Sequence, residues 1–155
     1  MGHAYASGKG VPQSDSIAVK FFEIAAEGGD PQAMFTLSTM LHSGKGCDKN
    51  LTRAFDLAVT ASELGHPMAM YNVGFYYLSG SGVAKDYQKA AEWFQRCVSV
   101  TDLIQPRVNL AKLYMSGLGV EKNFEKARSL VIDHVDTNAE CKQIIQDIDS
   151  KDLSL

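Results

Sequence analysis

The chain has 155 residues, 45% of them hydrophobic and 21% charged, with 13 glycines, four prolines and three cysteines. That composition supports one globular domain or a short repeat array with a core of its own, and excludes a disordered chain or a cysteine-braced mini-scaffold. A formal net charge of −3 at pH 7, with a pI near 5.8, supplies no positive field for a phosphate backbone or anionic lipid, so nucleic acid is not an expected partner.

Taken in chain order, apolar periodicity and capping residues predict helices near 1–7, 16–28, 31–43, 51–64, 67–79, 87–99, 104–116, 124–135 and 138–148. The opening stretch MGHAYASGKG has neither a basic nor an apolar leader region, and no apolar run approaches the ~18 residues of a membrane span. Direct membrane insertion is therefore not expected, and a cytoplasmic location is favoured. Asp30-Pro31 and His66-Pro67 each read as an N-cap followed by proline at the first helical position. In DYQKAAEWFQRCVSV, residues Tyr87, Ala90, Ala91, Phe94 and Cys97 recur at amphipathic helical spacing. Beyond Val131 six acidic residues face two lysines, which reads as a solvated acidic tail.

Sliding the chain against itself locks at about 36 residues. Gly8, Gly44, Gly80 and Gly117 align, as do Gly10, Gly46, Gly82 and Gly119, and Ala18, Ala54, Ala90 and Ala127. Ser14, Asn50, Asp86 and Asn123 form a column of helix N-caps, while Tyr5, Leu41, Tyr77 and Tyr114 form an apolar one. Each unit is a helix, a G-x-G turn and a second helix, with glycine admitting a positive φ where the first helix ends. Such a unit cannot bury its apolar face alone, so the fold class is all-α: a right-handed α-solenoid of stacked helix-turn-helix repeats. The array spans 1–136, with a partial repeat 1–30 and repeats near 31–66, 67–103 and 104–136; a capping helix and acidic tail occupy 137–155. Within the third repeat, the turn Val100-Thr101-Asp102-Leu103-Ile104 replaces the expected glycine and adds one residue.

The pattern from Ala69 to Phe94, A-x-x-x-V-G-x-x-Y-x-x-G-x-G-V-x-K-D-x-x-K-A-x-x-W-F, resembles the Sel-one-like repeat, a relative of the tetratricopeptide repeats. The resemblance covers roughly residues 1–135. It implies a scaffold or adaptor that binds other proteins. Met1-Gly2 falls on the column of Leu37-Ser38, Val73-Gly74 and Leu110-Ala111, so the sequence begins halfway through the first helix of a repeat, either as a truncation or because the first unit lacks half a helix, and in both cases an undercovered apolar edge is expected. That edge, or the C-terminal helix, could serve self-assembly, including a homodimer.

Chemistry-bearing motifs are sparse. Gly-Lys-Gly at 8–10 and 44–46 belongs to a turn used four times and is not a phosphate loop. Cys47, Cys97 and Cys141 have no zinc-ligand spacing, and Cys97 replaces an alanine in the core pattern. The four histidines lack ligand partners at metal-binding spacing, and no nucleophile–base–orienter set appears. No metal, cofactor or catalytic residue is expected. Some relatives carry paired cysteines and are claimed as hydrolases of cell-wall or β-lactam-like compounds; the missing cysteine pairs count against that alternative here.

The expected site is the concave face made by the first helix of each pair, which takes a protein or peptide partner. The column before the Leu-Gly step holds Thr36, Asn72 and Asn109, and the resemblance to tetratricopeptide grooves implies asparagines that bind a peptide backbone. Thr39, Phe75 and Lys112 follow on the same face, with His42 a turn further; Phe35, Tyr71 and Val108 adjoin them. Asn72 and Asn109 would fix the partner backbone, and Lys112 would favour an acidic ligand.

Overall fold

Four helices begin where the repeated polar column places a short oxygen-bearing side chain. Ser14, Asn50, Asp86 and Asn123 each accept a hydrogen bond from the backbone N–H three residues on, at Ile17, Arg53, Lys89 and Lys126 respectively. Each satisfies one orphan donor of a first helical turn, worth about 1 kcal/mol. The structure, a computed structural model, describes residues 1–152. The end of the expected acidic tail, residues 153–155 and the side chain of Asp152, lies outside the described residues.

The helices are α1 (Gly2–Ser7), α2 (Asp15–Glu27), α3 (Pro31–Ser43), α4 (Leu51–Glu63), α5 (Pro67–Ser79), α6 (Tyr87–Val100), α7 (Ile104–Ser116), α8 (Phe124–Val131) and α9 (Ala139–Asp152). No strand occurs among the described residues. Two units divide the chain, one over residues 1–85 and one from Asp86 onward. In the first, each of α1 to α4 packs on the next; in the second, α6, α7, α8 and α9 pack in sequence and α9 also returns to α7.

Two elements differ from the sequence expectation. The helix expected over 124–135 ends at Val131 and tightens into a 3₁₀ turn at Ile132–His134, a common way to finish a last turn. The final helix runs on to Asp152, since Asp149, Ser150 and Lys151 are exposed and bury no charge; Lys151 in the last turn complements the helix dipole. The long turn before α7 is braced by Thr101, whose hydroxyl donates to the Cys97 carbonyl and accepts from the Leu103 N–H.

Within each hairpin the first glycine of the turn caps the first helix. Gly44, Gly80 and Gly117 are left-handed and return their N–H to Met40, Tyr76 and Leu113. The chain then closes back, with the N–H of Ser14, Asn50 and Asn123 bonded at 2.9 Å to the carbonyls of Tyr5, Leu41 and Tyr114. The second glycine has a different duty. A Cβ on Gly46 would stand 2.4 Å from the carbonyl carbon of Asp15, one on Gly82 2.0 Å from the Leu51 oxygen, and one on Gly119 2.2 Å from the carbonyl carbon of Tyr87. The turn of each hairpin thus seats on the helix start of the hairpin before it. Gly10, in the same column, has nothing within 4 Å.

Small residues let the helices cross closely. Ala18, Ala54, Ala58, Ala61 and Ala69 are fully buried in the first unit, around Phe22, Leu37 and Leu41. Ser38 sits among them without cost, because its hydroxyl donates to the Ala54 carbonyl at 2.6 Å and lies 3.2 Å from the Tyr76 hydroxyl. Burial pushes the Tyr76 hydroxyl above its ordinary pKa, so it stays protonated and donates to Ser38. The second unit builds its core from Val108, Ala111, Ala127, Val131, Cys141, Ile144 and Ile148.

α5 starts on His66, whose Nδ1 accepts from the Ala69 N–H at 3.2 Å while Nε2 meets the Gln32 side-chain oxygen at 3.0 Å. Only neutral imidazole with its proton on Nε2 makes both bonds. Burial lowers the His66 pKa below its ordinary 6.5, although nearby Asp30 acts the other way. The unfolded chain therefore binds this proton at higher pH than the folded one. The cap's contribution is fully present above about pH 6.5 and is lost as pH falls through that value and on through the lower folded pKa. Chemical denaturation at pH 8 and pH 5 should show a loss of about 1 kcal/mol at the lower pH that His66→Asn, which caps without titrating, removes.

Candidate binding face on α3 and α5

Five of the predicted site residues converge on one cavity. Thr39 and His42 from α3, with Tyr71, Asn72 and Phe75 from α5, line a cleft of about 210 Å³ floored by Tyr76. Helical spacing explains the grouping, since residues three and four apart share a helix face and the two helices occupy equivalent repeat positions. The His42 ring stacks on Tyr76 at 5.1 Å between centroids, and Tyr71 lies 6.4 Å from Phe75. Phe75 is 38% exposed, so an aromatic face remains open at the cleft mouth. The side-chain amide of Asn72 makes no hydrogen bond among the described residues, which leaves both its donors and its acceptor for a ligand. Thr39 is half-used, its hydroxyl donating to the Thr36 carbonyl at 2.7 Å.

Other predicted members are engaged elsewhere. Phe35 stacks on His66 at 4.7 Å, and the Thr36 hydroxyl donates to the Gln32 carbonyl at 2.8 Å. Asn109 and Lys112 belong to the second unit, on α7. The Asn109 amide also makes no hydrogen bond among the described residues. Lys112, by contrast, forms an ion pair with Glu140 at 3.1 Å, and Gln105 donates to the same carboxylate at 3.2 Å. The hydrogen bond from Lys112, then that from Gln105, hold the Glu140 carboxyl below the usual carboxylate range. The lysine charge is compensated by its own chain. Val108 does not adjoin an open face: it is fully buried, because α9 lays Cys141, Ile144 and Ile148 into the same core.

No group of three or more His, Cys, Asp or Glu side chains able to hold a metal ion occurs among the described residues. Cys47, Cys97 and Cys141 form no disulfide, and burial pushes the Cys141 thiol up. No described helix is long and apolar enough to cross a membrane.

The hairpins, their glycine turns and the small-residue crossings define a helical-repeat scaffold of the α-solenoid class. Matches to the Sel1 repeat cover residues 1–30, 31–66, 67–96 and 108–130, and the chain belongs to the Sel1 repeat family. Proteins of this family generally mediate protein–protein interaction. A Sel1 repeat protein from Oxalobacter formigenes superposes with a TM-score of 0.85 at 28% identity, over 94% of this chain and 60% of that one. A protective antigen present in uropathogenic Escherichia coli strains, displaying an SLR fold, superposes with a TM-score of 0.82 at 32% identity, over 84% of this chain. The chain matches only 28% of that antigen's length. No curated protein sequence matches the chain at a meaningful level of similarity.

Proposed function

We propose that the chain is a non-catalytic interaction module that captures an extended segment of a partner protein in the α3–α5 cleft. The observation that carries this reading is the unused Asn72 amide set beside the exposed ring of Phe75 in one cavity that Tyr71 also lines. An amide at the edge of an aromatic cleft can bond the N–H and C=O of one residue of an extended chain while a side chain of that segment packs on the rings. Asn109 offers the second unit the same group. Lys112 is not assigned a role in choosing an acidic ligand, since Glu140 already neutralises it.

Peptides selected from a random display library against the intact chain supply the probe. Asn72→Ala should weaken their binding by about tenfold, and Asn72→Ala with Phe75→Ala by considerably more, with helicity and melting temperature unchanged because both side chains reach solvent. Equal affinity of the selected peptides for the folded variants counts against the cleft.

The edge formed by α1 and α2 supports a second reading, a homodimer. Ile24 on α2 is 67% exposed there and lines a cavity with Phe21 and Phe22. Sedimentation velocity across a wide concentration range should then show a dimer that Ile24→Lys disrupts; a monomer throughout rejects it.

A further inference from the structure

We propose that the groove between α6 and α7 is a second binding site, which takes an aromatic side chain flanked by carboxylates. The repeat itself shows what fits. In the first unit, Phe55 on α4 sets its ring edge-on to Tyr77 of α5, centroids 5.3 Å apart at 84°. One repeat later the same two positions are Ala91 on α6 and Tyr114 on α7. The ring has moved one turn along the helix: Ala58 of α4 is matched by Phe94 of α6, which is fully buried. Phe94 completes the core from its new position, and the place Phe55 fills in its own hairpin is vacated in the next.

What stands there is a groove of about 470 Å³ lined by Ala91, Leu110, Tyr114, Gly119 and Val120, with Gln88, Glu92, Gln95 and Arg96 around it. Its floor is apolar and closed, Leu110 and Ala91 being buried. A ring entering over Ala91 meets Tyr114 as Phe55 meets Tyr77, an edge-to-face contact that aromatic rings favour beyond simple burial.

Charge at the groove sets the flanking chemistry. Past Gln95 and Tyr114 the surface continues to Lys126, Ser129 and Leu130. The Arg96 guanidinium lies 4.8 Å from the Trp93 ring centroid and the Lys126 ammonium 5.4 Å from that of Tyr114, and neither forms an ion pair among the described residues. Both cations are held in place by aromatic faces while their charge stays available. Glu92 is the opposing charge, and it already accepts a hydrogen bond from Gln88 at 3.3 Å. The complementary ligand is therefore an acidic segment with one aromatic residue.

The test titrates the labelled full chain with acetyl-Asp-Phe-Asp-amide, followed by the backbone amide resonances. The expected result is saturable shifts at Ala91, Leu110, Tyr114 and Gly119, with a dissociation constant on the order of 1 mM, as a single anchored side chain gives. Acetyl-Asp-Ala-Asp-amide should leave those resonances unmoved, and acetyl-Lys-Phe-Lys-amide should bind at least several-fold more weakly. Ala91→Phe should fill the groove from within, raise the melting temperature and abolish the shifts; Ala91→Met serves the same purpose if the larger ring does not fold. The proposal is overturned if the wild-type chain shows no shift at these residues, if the shifts fall on Tyr71 and Phe75 instead, or if the lysine-flanked probe binds equally well. The wild-type titration decides independently of how either variant folds.

Discussion

Gly82→Ala should destabilise the first unit by roughly 3–5 kcal/mol, read as a large drop in the urea midpoint with an unchanged slope. Two costs add. A left-handed φ of 76° is strained for any residue with a Cβ, by about 1–2 kcal/mol. The new methyl would also stand 2.0 Å from the Leu51 carbonyl oxygen, which is backbone at the start of α4 and cannot swing aside. Relief requires the turn after α5 to lift off the preceding hairpin. Gly10→Ala separates the two costs: its φ of 80° is equally strained but no atom lies within 4 Å, so about 1–2 kcal/mol is expected. Equal losses in the two variants would mean that the second glycine serves only the turn, not the junction between repeats.

Phe94→Ala should cost about 3–5 kcal/mol in the second unit, the range for emptying a fully buried aromatic site. The neighbouring repeats explain why relief is unavailable. Phe22 and Val131 stand in the same column, and where Ala58 occupies it Phe55 supplies a ring one turn earlier. In α6 that earlier position is Ala91, so no large side chain remains to close over a truncated Phe94. Phe94→Leu should lose only about 1 kcal/mol, since most of the volume is kept. Thermal and urea unfolding followed by far-ultraviolet circular dichroism measure both, and a Phe94→Ala loss below 1 kcal/mol would contradict the packing described here.

The signals that were legible in the sequence are those whose partners lie within a turn. A capping oxygen reaches an N–H three residues away, as Asn50 reaches Arg53, so a column of Ser, Asn and Asp marks helix starts without any tertiary information. The alanine column at 54, 90 and 127 is legible for the same periodic reason, and all three alanines are fully buried. What a periodic column cannot tell is which helix the fold lays over it. Lys112 shares its column with Thr39 and Phe75, yet it meets Glu140 on α9, a helix outside the repeat pattern. The same helix buries Val108, while Phe35 of the equivalent position rests on His66. The junction role of Gly46, Gly82 and Gly119 was hidden likewise, because glycine is already explained locally by its positive φ. The columns carried the missed signal in two places: the second glycine is retained although the first already ends the helix, and Phe55 gives way to Ala91 while Ala58 gives way to Phe94.

The most direct test of the binding account is the side-chain amide spectrum of asparagine-labelled chain, recorded with and without a display-selected peptide. The account predicts that the Asn72 side-chain NH₂ pair shifts and gains protection from exchange at saturation, with ring-current changes at Phe75 and Tyr71 in the same titration. A saturated complex in which the Asn72 side chain and both rings keep their free-state resonances would contradict it.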